Sequence, residues 1–492
     1  FTQATMEEYD YDAADRIIKI EDITTDKTNQ AILRRLKEND PNAVELRVMH
    51  NRTNANYRNV EYDYYPENGH DLKWLGYFIG KNAYLRELIF CSNPFRDINS
   101  DAIESFYRGM NINKSIQEVK FYSFNLSGGE VFQSLRPFFK NNDSISKIVL
   151  QRCEIGSGCA RQLSTALRGC NKCLKHFWLE NNGMGDEQLV NVIEALTEHP
   201  QLESLELFET NVGRLECGAL TTLLRHTTTE LQELDLRWSD IDDEGVDALV
   251  GALTSNSNLR VLNLPNNQDI TARGCQSLAV LLENPNSNLE TLELMSNNIG
   301  DEGARVFANA LTSNRKLKDL DLYNNDITAE GYSSFSKVLC DTSSVNKTFL
   351  SNHTLESLGG IPLSMPADIK ALLALNSSTN DKKQVAIQKI LRHHHHFVVH
   401  PFFEWDLKVL PLIINWFERA GSIQNVDEAA IGKRKLDAIY QFIQGMPMVY
   451  IEARTRQELD EIGCSKMELA LKLKELEERE VRSMRRLGVL DV

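Results

Sequence analysis

A period of about 28 residues runs through most of this 492-residue chain and limits the folds that it can adopt. The segments that begin at Leu289 and Leu317 both follow L-x-x-L-x-L-x-x-N-x-I, then a glycine, then an amphipathic stretch. A repeat of this length cannot bury its own apolar face, so successive copies must stack into a solenoid. The equivalent starts are Leu85, Ile116, Ile145, Leu174, Leu202, Leu231, Leu259, Leu289, Leu317 and Val345, with a looser copy near Ala43.

Each repeat is predicted to contain a short strand followed by a helix. In the repeat from Leu317, strand alternation places Leu320 and Leu322 in the core, whereas Asp319, Asp321 and Tyr323 face solvent. An asparagine at the ninth position can bond the backbone of neighbouring turns, and a glycine then opens the helix. These residues are Asn182, Asn267, Asn297 and Asn325, and Gly245, Gly274, Gly303 and Gly331.

The period and the pattern together resemble the ribonuclease-inhibitor type of leucine-rich repeat from Ala43 to Asn352. The resemblance implies an α/β solenoid with a parallel sheet on the concave side and helices on the convex side. It implies little about function, because that type includes inhibitors, immune receptors, actin-capping proteins and activators of the Ran GTPase.

Three regions are predicted along the chain. Residues 1–42 form an acidic leader with a capping helix across Ala31–Glu38, residues 43–355 form a solenoid of 10 to 11 repeats, and residues 356–492 form an all-α domain. The helices predicted in the last region are Ser364–Leu375, Asn380–Arg392, Phe403–Ala420, Asp427–Gln444 and Arg456–Arg486. Leucines in the last helix leave two alternatives open: a coiled-coil homodimer through Arg456–Arg486, or a helix packed on its own domain, which is favoured.

Composition excludes several classes of protein. The chain has 54 Lys and Arg against 70 Asp and Glu, a net charge of −16, which argues against general binding of nucleic acid or of an anionic membrane. No apolar run reaches the length of a membrane span. Nine cysteines are sparse and odd in number, which favours reduced thiols and a cytoplasmic location.

Candidate chemical motifs are better explained by the repeats. The glycines of Ile155–Cys159 lack the remainder of a phosphate loop, and the acids of Asp240–Gly245 lack the twelfth ligand of a calcium loop. Metal binding is disfavoured but left open at Cys153, Cys159, Cys170 and Cys173, and at the run His393–His396 with His400. The sequence therefore predicts no catalytic residue, no cofactor and no metal site.

The predicted concave face carries the most informative chemistry. In the repeats from Leu202 onward it holds Glu203, Glu206, Glu209, Glu233, Asp235, Glu290, Glu293, Asp319 and Asp321 against Arg237, Arg260 and Lys318. The three repeats from Leu85 have the opposite tilt, with Arg86, Lys120, Lys147 and Arg152 against Glu87 and Glu118. The predicted partner-binding residues are Trp178, Glu206, Phe208, Glu209, Asp235, Trp238, Glu293, Met295, Asp321 and Tyr323.

These features predict a non-catalytic scaffold that binds a basic protein partner on the concave face. One alternative is a GTPase-activating regulator similar to the Ran activators, although their acidic tail is missing here, since residues 454–492 balance nine bases and nine acids. Another alternative is a structural subunit of a larger assembly that docks through the helical tail.

Overall fold

The computed structural model describes residues 10–50, 61–126, 130–169, 172–226, 230–360 and 362–394. The chain divides into two compact units, of which unit 1 is Phe1–Val338 with Thr354–Leu373, and unit 2 is Leu339–His353 with Ala374–Val492. The predicted helices Phe403–Ala420, Asp427–Gln444 and Arg456–Arg486 lie outside the described residues, as does the homodimer assigned to the last of them.

Strands and helices alternate along the repeats. The strands are β1 (Glu45–Met49), β2 (Asp63–Tyr64), β3 (Glu87–Cys91), β4 (Glu118–Tyr122), β5 (Lys147–Gln151), β6 (His176–Glu180), β7 (Ser204–Phe208), β8 (Glu233–Asp235), β9 (Val261–Asn263), β10 (Thr291–Glu293) and β11 (Asp319–Asp321). The helices are α1 (Tyr11–Asp15), α2 (Ile20–Ile23), α3 (Lys27–Lys37), α4 (Gly69–Lys81), α5 (Ser100–Met110), α6 (Glu130–Asn141), α7 (Ser157–Arg168), α8 (Asp186–Leu196), α9 (Arg214–Arg225), α10 (Asp243–Leu253), α11 (Ala272–Glu283), α12 (Gly300–Leu311), α13 (Ala329–Leu339), α14 (Val345–Phe349), α15 (Ala367–Ser377) and α16 (Lys382–His393).

Within the described residues, all the strands join one parallel sheet in the order β11 to β3, then β1 and β2. Each strand from β3 to β11 begins two residues after the repeat start that the sequence predicts. Leu320 and Leu322 are buried, as alternation requires. The fold is therefore the predicted solenoid, and we call the solvent-facing side of its sheet the concave face.

The ninth-position asparagines hold adjacent repeats together. The Oδ1 atom of Asn267 accepts from the backbone N–H of Ser239 at 2.9 Å, one repeat earlier, and its Nδ2 donates to the carbonyl of Leu236 at 2.9 Å. Asn297 and Asn325 repeat the arrangement. A buried backbone group without a partner is costly, so these side chains explain how the chain leaves each strand without losing hydrogen bonds.

The structure corrects the predicted end of the repeats. Val345, a predicted repeat start, begins the short helix α14, so the prediction of a repeat there is wrong. Instead, Ser357 forms a parallel bridge to Asp319 of β11. Leu355 and Leu358 beside it are buried, as are the first two leucines of each repeat. The sequence did not predict β2, which pairs in parallel with β1 and extends the sheet on that side.

The N-terminal capping helix begins four residues earlier than Ala31 and buries Ile32, Leu33 and Leu36. Residues 339–353 and 374–394 are the described part of unit 2, which contains α14 and α16. None of the helices in the described ranges combines the length and the apolar character needed to cross a membrane.

Candidate protein-binding surface

Parallel pairing lines up the predicted carboxylates in one row across the concave face. In register order along β6 to β11, the row is Trp178, Glu206, Asp235, Asn263, Glu293 and Asp321. Two residues further along their strands, Phe208, Met295 and Tyr323 follow Glu206, Glu293 and Asp321. Since neighbouring strands lie about 4.8 Å apart, repeats distant in sequence contribute to one continuous surface.

Ion pairs neutralise three of the nine concave acids. Lys175 binds Glu203 at 2.6 Å, and both Arg260 and Lys318 bind Glu290, at 3.0 Å and 2.6 Å. The third acid, Asp235, pairs with Arg237. The three bases predicted on this part of the face, Arg237, Arg260 and Lys318, all take part in these ion pairs. Within the described chain, the acids left without an ion pair are Glu206, Glu209, Glu233, Glu293, Asp319 and Asp321.

Arg237 is fixed in the middle of this surface. Its Nε donates to Asp235 Oδ2 at 2.8 Å, and its guanidinium lies 5.9 Å from the centre of the Phe208 ring. Asp235 is 2% exposed and also accepts from Asn263 Nδ2 at 3.2 Å. Asp235 is therefore a buried anchor for Arg237, whereas the sequence analysis treats it as a residue that meets the partner.

Burial and crowding affect the remaining carboxylates. Burial raises the pKa of Glu206, and the negative charges of Asp235 and Glu233 raise it further. Burial also raises the pKa of Glu293, an effect that Arg237 opposes and that Asp321 reinforces. Because like charges disfavour ionisation, these directions mark a surface with an excess of negative charge.

Two aromatic rings stand out from the same face. Trp238 is 53% exposed and Tyr323 is 43% exposed. Trp238 has a φ of +55°, a left-handed conformation that is unfavourable for a bulky side chain. Tryptophan and tyrosine are enriched among the residues that dominate binding energy, so two exposed rings in repeats with unpaired carboxylates are the chemistry expected of a binding face.

Ion pairs in the described residues neutralise only part of the predicted basic tilt of the first repeats. Lys120 binds Glu87 at 2.6 Å and Glu118 at 2.8 Å. Arg86 donates to the carbonyls of Ala83 and Ser115 at 3.2 Å and 3.0 Å. Arg86 and Lys147 form no ion pair within the described residues, so the first half of the concave face keeps basic charge whereas the second half keeps acidic charge.

The thiol and imidazole candidates do not form a metal site in the part of the chain that the structure describes. Cys153 and Cys159 are buried, and burial raises the pKa of each thiol to about 12. His394 hydrogen-bonds the Thr348 hydroxyl at 2.7 Å. Cys170, His395, His396 and His400 lie outside the described residues.

One part of the surface was missed by the sequence analysis. Gly359, with a φ of +87°, packs against Asp321, and Gly360 packs against the Tyr323 ring. These glycines follow Leu355 and Leu358, so the spacing L-x-x-L at that position was the signal that could have revealed this edge.

Comparison with known proteins supports the assignment of the repeats. A family model described as "Leucine Rich repeat" matches residues 229–250, 255–279, 286–308 and 313–336. The ribonuclease inhibitor of Sus scrofa is 31% identical over 169 residues, which cover 34% of this chain and 36% of the inhibitor. These matches support the assignment of the repeats in this chain as leucine-rich repeats of the ribonuclease-inhibitor type. Leucine-rich-repeat proteins generally mediate protein–protein interactions.

Other relatives of this leucine-rich-repeat protein match similarly short segments. The NACHT, LRR and PYD domains-containing protein 4E of Mus musculus is 31% identical over 170 residues, 34% of this chain and 17% of that protein. Among solved structures, leiomodin-1 actin-binding site 2 covers 32% of this chain and 86% of its own, with 22% identity and a TM-score of 0.27. The chain thus spans about a third or less of the length of these two curated relatives.

Proposed function

We propose that this protein is a non-catalytic scaffold that binds a basic protein on the concave face formed by β7 to β11. One observation carries the proposal: the repeats that hold carboxylates without an ion pair in the described chain also expose the rings of Trp238 and Tyr323. Rings supply buried area in an interface, whereas surplus charge selects the partner and speeds its encounter. The seven described cysteines are unpaired, which fits the proposed intracellular location.

The test is a charge reversal of the face in the full chain. Glu206, Glu233, Glu293 and Asp321 are replaced by lysine, and Asp235 is left unchanged because it anchors Arg237. A matched control replaces four exposed acids of the helix layer with lysine, namely Glu187, Glu244, Glu283 and Glu302. Both variants change the net charge of −16 by the same amount.

Affinity capture from native extract, read by mass spectrometry, compares the three proteins. We expect basic partners to be captured by the wild type and by the control but lost from the concave-face variant. Each partner is then purified, and its Kd is measured directly with all three chains. Equal Kd values for the wild type and the concave-face variant would contradict the proposal.

A further inference from the structure

One place on the concave face repeats the surroundings of Arg237 without a cation. Asp235 Oδ1 accepts from the backbone N–H of Arg237 at 3.1 Å, and its carboxylate also holds the guanidinium. Asp321 occupies the same position three repeats later. Its Oδ1 accepts from the backbone N–H of Tyr323 at 2.8 Å, and within the described residues the carboxylate forms no ion pair.

The surroundings of Asp321 complete the resemblance. Glu293 is its register partner on β10 and likewise has no ion pair in the described chain. Met295 and Tyr323 occupy the same position in their repeats as Arg237 does in its own. Phe208 occupies that position in the repeat before Arg237. The backbone at Gly359 and Gly360 forms a wall beside Asp321 and Tyr323, and the ring of Tyr323 nevertheless remains 43% exposed.

We propose that Glu293, Asp321, Met295 and Tyr323 form an arginine subsite for the protein partner. A guanidinium from the partner pairs with the two carboxylates, and its flat face lies against Tyr323 and Met295. The inference rests on the proposed function, since it identifies the side chain by which the basic partner is anchored. Within the protein, Arg237 already shows such an arrangement, between a carboxylate and an aromatic ring.

Arginine fits this subsite better than lysine for two reasons. A guanidinium presents parallel N–H groups that match a carboxylate, whereas an ammonium acts as a point charge. Its plane also stacks on an aromatic ring. Burial is the main cause of the raised pKa of Glu293, the charge of Arg237 opposes it, and the charge of Asp321 adds to it. Glu293 forms no ion pair with Arg237 in the described chain.

The probes are octa-arginine and octa-lysine, which carry equal charge, titrated into the full chain by calorimetry. We expect wild-type protein to prefer octa-arginine by about fivefold, the size of a moderate stacking and bidentate contribution. The variant Glu293→Gln/Asp321→Asn should weaken octa-arginine by about tenfold and abolish the preference. Asparagine at 321 keeps an oxygen for the Tyr323 N–H, so the local backbone is preserved.

The matched control is Glu206→Gln/Glu233→Gln, which removes the same charge from the same face. It should weaken both peptides alike and retain the preference for arginine. Tyr323→Leu should reduce the preference and leave octa-lysine binding unchanged. Circular dichroism and thermal unfolding establish that each variant is folded.

The outcomes separate the two proposals. If the preference persists in Glu293→Gln/Asp321→Asn, or is absent from the wild type, the arginine subsite is wrong while a general acidic binding face still stands. If neither double variant weakens either peptide, both the subsite and the proposed function are wrong.

Discussion

At the scale of single residues, the eighth position of each repeat has a left-handed backbone. The residues are Ser92, Ser123, Arg152, Asn181, Glu209, Trp238, Asn266, Ser296 and Asn324, with φ between +46° and +59°. Asparagine tolerates this conformation because its short polar side chain can bond locally, whereas a tryptophan has no such compensation. Trp238 adopts this unfavourable backbone conformation, and its exposed ring belongs to the proposed binding face.

Replacing Trp238 with asparagine should therefore separate stability from binding. We expect the free energy of unfolding of unit 1 to rise by about 1 kcal/mol, because the left-handed conformation is relieved. Partner affinity should fall by at least tenfold if the ring is a central anchor. Chemical denaturation and calorimetry with the captured partner measure the two effects. Ser123→Asn, at the same position of an early repeat, should leave affinity unchanged.

Lys389 is an unusual residue in unit 2. It is fully buried, and its Nζ donates to the carbonyls of Leu339 at 2.6 Å and Asn352 at 3.1 Å. Burial lowers its pKa to about 7; the thiol of Cys340 opposes this shift and the charge of Lys382 adds to it. Backbone carbonyls are thus its only hydrogen-bond acceptors in the described chain, so the charged form is poorly compensated.

Lys389 should make the stability of unit 2 depend on pH. In the unfolded chain the lysine keeps a proton up to about pH 10.4, whereas the folded chain releases it near pH 7. The unfolded state therefore binds more protons between these values, and stability rises with pH through that window. Hydrogen exchange of α16 measures this local stability in the wild type and in Lys389→Met. The stability difference between them should change from pH 7 to pH 10 and be constant below pH 6; a difference independent of pH would contradict the prediction.

At the scale of elements, an aspartate of one helix organises the start of the next. Asp243 Oδ1, in the first turn of α10, accepts from the backbone N–H groups of Thr271 and Gly274 at 2.8 Å each. Its Oδ2 accepts from the Thr271 hydroxyl at 2.6 Å. Asp301 makes the equivalent bonds to Thr328. Consecutive helices are thereby coupled through their otherwise unsatisfied N-terminal amides.

The glycine at this position provides room for the aspartate. A Cβ at residue 274 would lie 2.5 Å from Asp243 Oδ1, so Gly274→Ala should displace the carboxylate and cost about 2 kcal/mol. Asp243→Ala should cost about as much because three hydrogen bonds are lost. The double variant should be less destabilised than the sum by at least 1 kcal/mol, since one change removes the obstacle to the other. Additive costs in denaturant unfolding would show that the two residues are not coupled.

Sequence periodicity was sufficient to predict the repeats but not the contacts between them. The strand starts in the repeats from Leu85 to Leu317 could be predicted because each repeat must present the same leucines to one core. The repeat expected at Val345 was wrong because α14 intervenes before the L-x-x-L at Leu355. Strand alternation was also sufficient to place Asp319, Asp321 and Tyr323 on the solvent side of the sheet. The two partners of Glu290, by contrast, are Arg260 and Lys318 of the neighbouring repeats, 30 and 28 residues away, and no pattern within one repeat encodes these pairings.

At the scale of the molecule, Glu206 and Glu293 are two concave-face acids without an ion pair in the described residues of a chain whose net charge is −16. Glu206 and Glu293 each have a raised pKa in the folded protein, so the folded state binds more protons than the unfolded state as these groups titrate. Stability is consequently lost as pH rises through their folded pKa, and the ionised carboxylates are destabilising at neutral pH. A fold that keeps them gains something other than stability, which supports the proposed binding of a cationic partner.

The double variant Glu206→Gln/Glu293→Gln should therefore have opposite effects on stability and on binding. At pH 7 its melting temperature should rise, because two crowded carboxylates become neutral, whereas partner affinity should fall by about tenfold. Below the folded pKa of the two groups both differences should vanish, since wild-type Glu206 and Glu293 are then also neutral. Differential scanning fluorimetry and calorimetry from pH 7 to pH 4 measure the two quantities. A melting temperature that falls at pH 7 would contradict the prediction, because it would mean that these carboxylates stabilise the fold and that their excess charge needs no partner.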